Sequence, residues 1–312
     1  MLERSDLEDV PCDLCGSKRR RALYDIGDVR YGRPSPSYRV SRCRDCRLVY
    51  VSPRPPVDRL GELYPADYDA DRRVDNPAIR RRFEAQADLV GPAGGRLLDV
   101  GAAQGAFVEW MRGRGWDAGG VDPFARKDAP SSHVLAAPLE SPALEENAYD
   151  VVTAWHVLEH VPAPGRTLER IRSLLKSGGR LCLSVPNFES YRGTWLKAED
   201  VPRHLYGFGE GTLLRYAAKA GFRPLAVSYR DAFASDALGR GAFTRHAYCR
   251  LGGLSLYDYH RARIDPARSL AAEHPVARQV ARVLDWFERR LLTSERLERN
   301  GRMGVVAMVW GT

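Results

Sequence analysis

Apolar residues in this chain follow two spacings, and the switch between them sets the order of elements. Compact runs such as Leu97-Leu98-Asp99-Val100 and Val151-Val152-Thr153-Ala154 have the length of buried strands. Between such runs apolar residues fall three or four positions apart, as Phe107, Val108 and Met111 do, and as Leu168, Ile171, Leu174 and Leu175 do. That spacing predicts amphipathic helices. From Arg96 onward the pattern predicts seven strands, at 96–100, 117–123, 133–139, 149–157, 180–187, 222–230 and 302–310. Helices are predicted at 106–115, at 164–179 with Pro164 near the start and Gly178 as the stop, and at 210–221 ending at Gly221. Strands alternating with helices predict an α/β fold with an open, doubly wound sheet.

Breaks in the pattern divide the chain. Residues 1–57 hold four cysteines and end in the proline-rich "SPRPPVD". A connector at 58–95 carries a helix from about Pro77 to Leu89 and stops at "GPAGG". The α/β domain is expected to span 96–312, interrupted at 232–300 by a mainly helical insertion before the last strand. There Val276, Val280, Val283, Leu284, Phe287 and Leu291 form a helical stripe, read as ordinary packing over one side of the sheet.

Composition narrows the class. No apolar stretch is long enough to span a membrane, and "MLERSDLEDV" has no apolar signal-peptide core, so a cytoplasmic location is expected. The net charge is +8, and only five of the 48 basic residues are lysine. Residues 232–312 hold 13 arginines against 8 acids, a surplus suited to an anionic or carrier-linked small molecule. No basic run is interleaved with aromatics, so a nucleic-acid partner is not expected. Oligomeric state is not readable from these features.

Cys12 and Cys15, then Cys43 and Cys46, make two C-x2-C knuckles separated by 27 residues. Two knuckles supply four thiolates for a tetrahedral ion, and a closed four-sulfur site is structural because it leaves no position for substrate. Zn²⁺ is the expected ion, and iron can take the same donor set. Gly16 follows the first knuckle, where the backbone must turn.

The stretch "DVGAAQG" follows the first α/β strand. It lacks the second glycine of a dinucleotide loop and the Lys-Ser/Thr ending of a P-loop. What remains is an acid two residues before Gly101, then Ala103 and Gly105.

With this pattern the chain resembles the class I S-adenosylmethionine-dependent methyltransferases, whose first motif is E/D-x-G-x-G-x-G. Ala103 stands at the middle glycine. The likeness continues in "GVDP", "APLE", "AYDVVTAWHVLEHVPAP" and "LLKSGGRLCLSVPN", covering about residues 90–230 and the final strand. It implies a Rossmann-like seven-stranded sheet with S-adenosylmethionine bound by Asp99, Gly101, Ala103 and Gly105. Asp122 would hold the ribose, Leu139 the adenine, and Trp155 and His156 would line the site. Tyr64 and Tyr68 in the connector would form a lid. Glu159 and His160 suit either capping or chemistry.

"CRLVYVSPRP", "LYPADYDA" and "PRHLYGF" resemble bacterial sugar and natural-product methyltransferases that carry an N-terminal cysteine module. The implied reaction is O-methylation of a sugar-like or specialised-metabolite acceptor, with His204 as base and Tyr191, Trp195 and Tyr206 contacting substrate. Related sugar C-methyltransferases place an acid before that histidine, where this chain has Arg203. C-methylation of a nucleotide-linked sugar is therefore a second expectation, and RNA methylation using the zinc module a third.

Overall fold

The computed structural model describes residues 2–28, 35–64, 77–125, 131–190, 200–229 and 305–312, together with the helical positions Gln279, Val283 and Trp286. The principal sheet has seven strands. They are β4 (Arg96–Val100), β5 (Asp117–Val121), β6 (Val134–Leu135), β7 (Tyr149–Trp155), β8 (Leu175–Pro186), β10 (Arg223–Ser228) and β11 (Val305–Gly311). Their order is β10-β11-β8-β7-β4-β5-β6. β4 pairs in parallel with both β5 and β7, whereas β11 runs antiparallel to β8 and β10. The chain thus leaves β4 toward one edge and later returns to its other side. An open α/β sheet binds ligand at such a reversal, beyond the strands' carboxyl ends.

The period of two along each strand sorts side chains onto two faces. Leu97, Val151, Cys182 and Val309 pack with α1 (Pro77–Val90) and α2 (Ala106–Arg112). Leu98, Val152, Leu181, Leu183 and Trp310 pack on the other face with α3 (Pro164–Leu174) and α4 (Glu210–Lys219). Both faces are covered, which is why the strands read as nearly continuous apolar runs.

The structure corrects one boundary. α3 ends at Leu174, not at Gly178, because Leu175 turns extended (φ −76°, ψ 137°) and pairs with Tyr149 at the start of β8. The register then jumps from Leu175 to Arg180, and Gly178, at φ +77°, serves that irregularity in the strand. The third predicted strand also shrinks from seven residues to the two of β6.

The N-terminal region forms a second, four-stranded antiparallel sheet. Its members are β1 (Arg20–Ile26), β2 (Tyr38–Cys43), β3 (Val49–Val51) and β9 (Tyr206–Gly207). The fourth strand comes from far along the chain, so the two regions share a sheet. They also share a core: Leu14, Leu48 and Tyr50 belong to the same apolar cluster as Leu168, Phe208 and Tyr216. No helix among the described residues is long and apolar enough to cross a membrane.

Candidate functional site

The loop after β4 is built for close approach. Gly101 adopts φ +71°, and a Cβ there would lie 2.6 Å from Val157 Cγ2. Gly105 adopts φ +84°, and its Cβ would lie 2.5 Å from Ser131 Cβ. Only glycine fits either position without displacing a neighbour. Ala103 also takes the left-handed region, at φ +50°, and its N–H donates to Asp122 Oδ2 at 2.8 Å. Asp122 Oδ1 accepts from the Phe124 N–H at 2.8 Å. The carboxylate is therefore fixed by two backbone donors, and each oxygen retains a lone pair for a further donor such as a ribose hydroxyl.

Asp99 is buried at the end of β4 and accepts from Thr153 Oγ1 at 2.6 Å. Burial raises its pKa to about 7; the Thr153 hydrogen bond opposes the shift and the nearby Asp122 charge adds to it. A cation arriving at this carboxyl would favour its ionised form.

Trp155 ends β7 half-buried, edge-on to Phe107 with centroids 5.7 Å apart. His156 follows at φ +57°; its N–H donates to Ser184 O at 2.8 Å, and its Nδ1 lies 3.2 Å from Glu159 Oε1. Glu159 is buried, and its other oxygen has no hydrogen-bond partner among the described residues.

Tyr64 links the Asp122–Phe124 loop to a histidine cluster. Its ring lies 6.2 Å from that of Phe124, and its hydroxyl is 3.0 Å from His160 Nδ1. His160 meets His204 edge-on at 4.6 Å. Burial, and then the neighbouring His204, lower the His160 pKa to about 4, so its ring is neutral near pH 7. Glu159, His160 and His204 each bring one ligand-type atom within 4.8 Å of the others. Such a cluster can pass a proton or hold a cation.

Three of the expected site residues, Tyr68, Tyr191 and Trp195, lie outside the described residues, as does the insertion at 232–300 apart from Gln279, Val283 and Trp286. Two others are buried. Tyr206 is a buried strut: its hydroxyl donates to Pro162 O and accepts from Arg54, both at 2.9 Å, so it ties the N-terminal sheet to the turn before α3, while its side of β9 lines a small cavity together with His204. Leu139 packs into the main core, and its carbonyl accepts from Arg170; its neighbours Pro138 and Glu140 are exposed. Phe124, 68% exposed beside Asp122, was not singled out from sequence, although an aromatic two residues after an acid at a strand end is a legible pattern. Asp28, which forms a buried pair with Arg203, carried no signal at all, because 175 residues separate the partners.

At the N-terminus the sulfurs pair off. Cys12 and Cys46 are 3.3 Å apart, Cys15 and Cys43 are 3.6 Å apart, and all four sulfurs lie within 4.8 Å of one another. Each knuckle closes on a left-handed residue, Gly16 at φ +72° and Arg47 at φ +68°. Gly16 N–H donates to Cys12 O, and Arg47 N–H to Cys43 O. Two like turns facing each other with four thiols fit a tetrahedral ion.

Comparison with known proteins agrees with this geometry. The family described as "Methyltransferase domain" matches residues 68–227, just over half of the chain. A ubiquinone biosynthesis O-methyltransferase of Acinetobacter baumannii (strain AYE) is 34% identical over 129 residues, covering 37% of this chain and 54% of that protein. One from Paraburkholderia phytofirmans is 33% identical over 143 residues, covering 42% and 60%. The chain thus spans about half the length of the curated relatives it matches. Haemonchus contortus phosphoethanolamine N-methyltransferase 2, solved with S-adenosyl-L-methionine, superposes with a TM-score of 0.51 at 16% identity, over 85% of this chain and 62% of that one. That likeness shows the fold.

Proposed function

Because this chain belongs to the methyltransferase domain family, we propose that it is an S-adenosylmethionine-dependent O-methyltransferase acting on a hydroxyl of a sugar-like or specialised-metabolite acceptor. The observation that carries the reading is the Tyr64 bridge, which joins the Asp122–Phe124 loop to the Glu159–His160–His204 cluster. When bound, S-adenosylmethionine supplies an electrophilic methyl group. The chain's own residues do the rest. Asp99 would meet the ligand's cationic amino end, Asp122 would hold its ribose, and Gly101, Ala103 and Gly105 would let backbone approach it. Tyr64 and Phe124 cover the site and exclude water.

A hydroxyl must lose its proton to become nucleophilic, and His204 is the proton acceptor in this reading. His160, neutral and held by Tyr64, aligns the His204 ring edge-on. The carbon-methylating sugar enzymes place an acid before this histidine. Here that position is Arg203, whose side chain is committed to Asp28, and this favours an oxygen acceptor.

We also propose that Cys12, Cys15, Cys43 and Cys46 hold a structural Zn²⁺. The donor set and the paired knuckles support it.

The test is a screen of free sugars, nucleotide-linked sugars and phenols for acceptor-dependent S-adenosylhomocysteine release. His204→Ala should reduce turnover on the acceptor found by about a hundredfold or more, with cofactor affinity kept. Normal turnover in that variant would remove His204 as base.

A further inference from the structure

Arg203, immediately before His204, is joined to Asp28 of the N-terminal region by a bidentate pair, NH1 to Oδ2 at 2.7 Å and NH2 to Oδ1 at 2.9 Å. The two side chains are 2% and 7% exposed. A buried ion pair is a weak source of stability, because desolvation offsets most of the attraction; an apolar pair of like volume folds as well or better. What a bidentate pair supplies is geometry, since two parallel hydrogen bonds fix both distance and plane.

The geometry fixed here is that of the site. Arg203 NH1 also lies 3.4 Å from Leu63 O, next to Tyr64, and the Arg203 carbonyl lies 3.2 Å from His160 Nδ1. On the following residues, Val51 N–H donates to Leu205 O at 2.9 Å, and Arg54 reaches Tyr206. From the opposite side, Leu205 N–H donates to Glu159 O at 2.7 Å. The segment bearing His204 is therefore gripped by the N-terminal region on one side and by the Glu159–His160 turn on the other.

We propose that Asp28 and Arg203 are positioning residues for His204, so that the N-terminal region forms part of the acceptor site and is not only a folding aid. This rests on the reading of His204 as the base. Asp28 fixes Arg203, and Arg203 fixes the backbone of His204 and the ring of His160; the imidazole so placed faces His160 on one side and Asp200 on the other, its Nδ1 3.6 Å from Asp200 Oδ2.

Histidine ring ¹⁵N spectra of the full-length protein with S-adenosylmethionine bound report the tautomer and titration of His204. Its signals are identified by their loss in His204→Gln. Asp28→Asn is compared with the double replacement Asp28→Leu/Arg203→Met, which folds without a buried lone charge. Both should bind S-adenosylmethionine within about threefold of the parent, because the cofactor loops lie on other elements. Both should move the His204 titration midpoint by about half a unit or more. Asp28→Glu should recover part of the change. Parental His204 signals in the double variant would overturn the proposal, whatever the fate of Asp28→Asn. Failure of the base reading is separate: it appears as normal turnover in His204→Ala.

Discussion

Ala103 holds φ +50° where related loops have glycine, a conformation that costs an L-residue about 1 kcal/mol. The cost is offset locally by the hydrogen bond from its N–H to Asp122, which anchors the loop to the end of β5. Ala103→Gly removes the strain but loosens the unfolded chain, so stability should rise by about 1 kcal/mol at most, with cofactor affinity intact. Urea unfolding and calorimetry check both; a clear loss of stability would show that Ala103 is not strained. Asp122→Ala leaves two backbone donors without their acceptor. It should weaken S-adenosylmethionine binding by about tenfold or more in calorimetry. Asp99 adds a pH signature. Its folded pKa, about 7, is above the ordinary carboxylate value. Between that ordinary value and pH 7, the folded protein keeps a proton that the unfolded chain has released. The contribution of Asp99 to stability therefore falls as pH rises through this window and is flat above it. Cofactor binding should run the other way. The ligand's ammonium favours the ionised carboxylate, so affinity should climb with pH toward about 7 and then level off, with proton release on binding. Calorimetry in buffers of different ionisation enthalpy measures that release, and Asp99→Asn should abolish it.

At the scale of elements, the knuckles and the β8 entry show how local pattern and pairing compete. Gly16 and Arg47 occupy equivalent left-handed positions, and only the first is the residue the turn prefers. Under the proposed zinc reading, the ion would hold the second turn where propensity does not. Cys43→Ser should reduce bound metal well below one equivalent and lower the melting temperature by about 5–10 °C, read by metal analysis and thermal unfolding. β8 teaches the opposite lesson. Leu174 and Leu175 continue the helical spacing of α3, so the helix reads as running on to Gly178. Pairing of Leu175 with Tyr149 overrides that spacing where β8 joins the interior of the sheet.

On the scale of the whole molecule, the N-terminal region and the α/β domain are one packed body. Asp13 Oδ2 accepts from Gly165 N–H near the start of α3 and from the Tyr216 hydroxyl of α4, at 2.9 and 2.7 Å. Lys219 donates to Leu14 O, and Arg215 to Cys46 O. Removing residues 1–57 would uncover the apolar surface around Phe208 and Tyr216 and take away Asp28, the carboxylate paired with Arg203. The truncated chain should therefore aggregate or melt without cooperativity, measured by light scattering and calorimetry. A soluble, cooperatively folded truncation would show that the shared core is dispensable.

The sequence by itself determined the seven strands of the principal sheet in chain order and the glycine turn after β4, because each is encoded within a few residues: period two or period 3.6, and glycines where φ is positive. It determined the four cysteines for the same reason. Only the tertiary structure decided which of the later residues meet. Tyr206 became a strut, and Leu139 a core residue. Asp28 joined Arg203, Tyr64 joined His160, and β9, at Tyr206, completed a sheet begun at Arg20. Those contacts depend on how two distant segments pack, and no local periodicity records a partner that lies far along the chain.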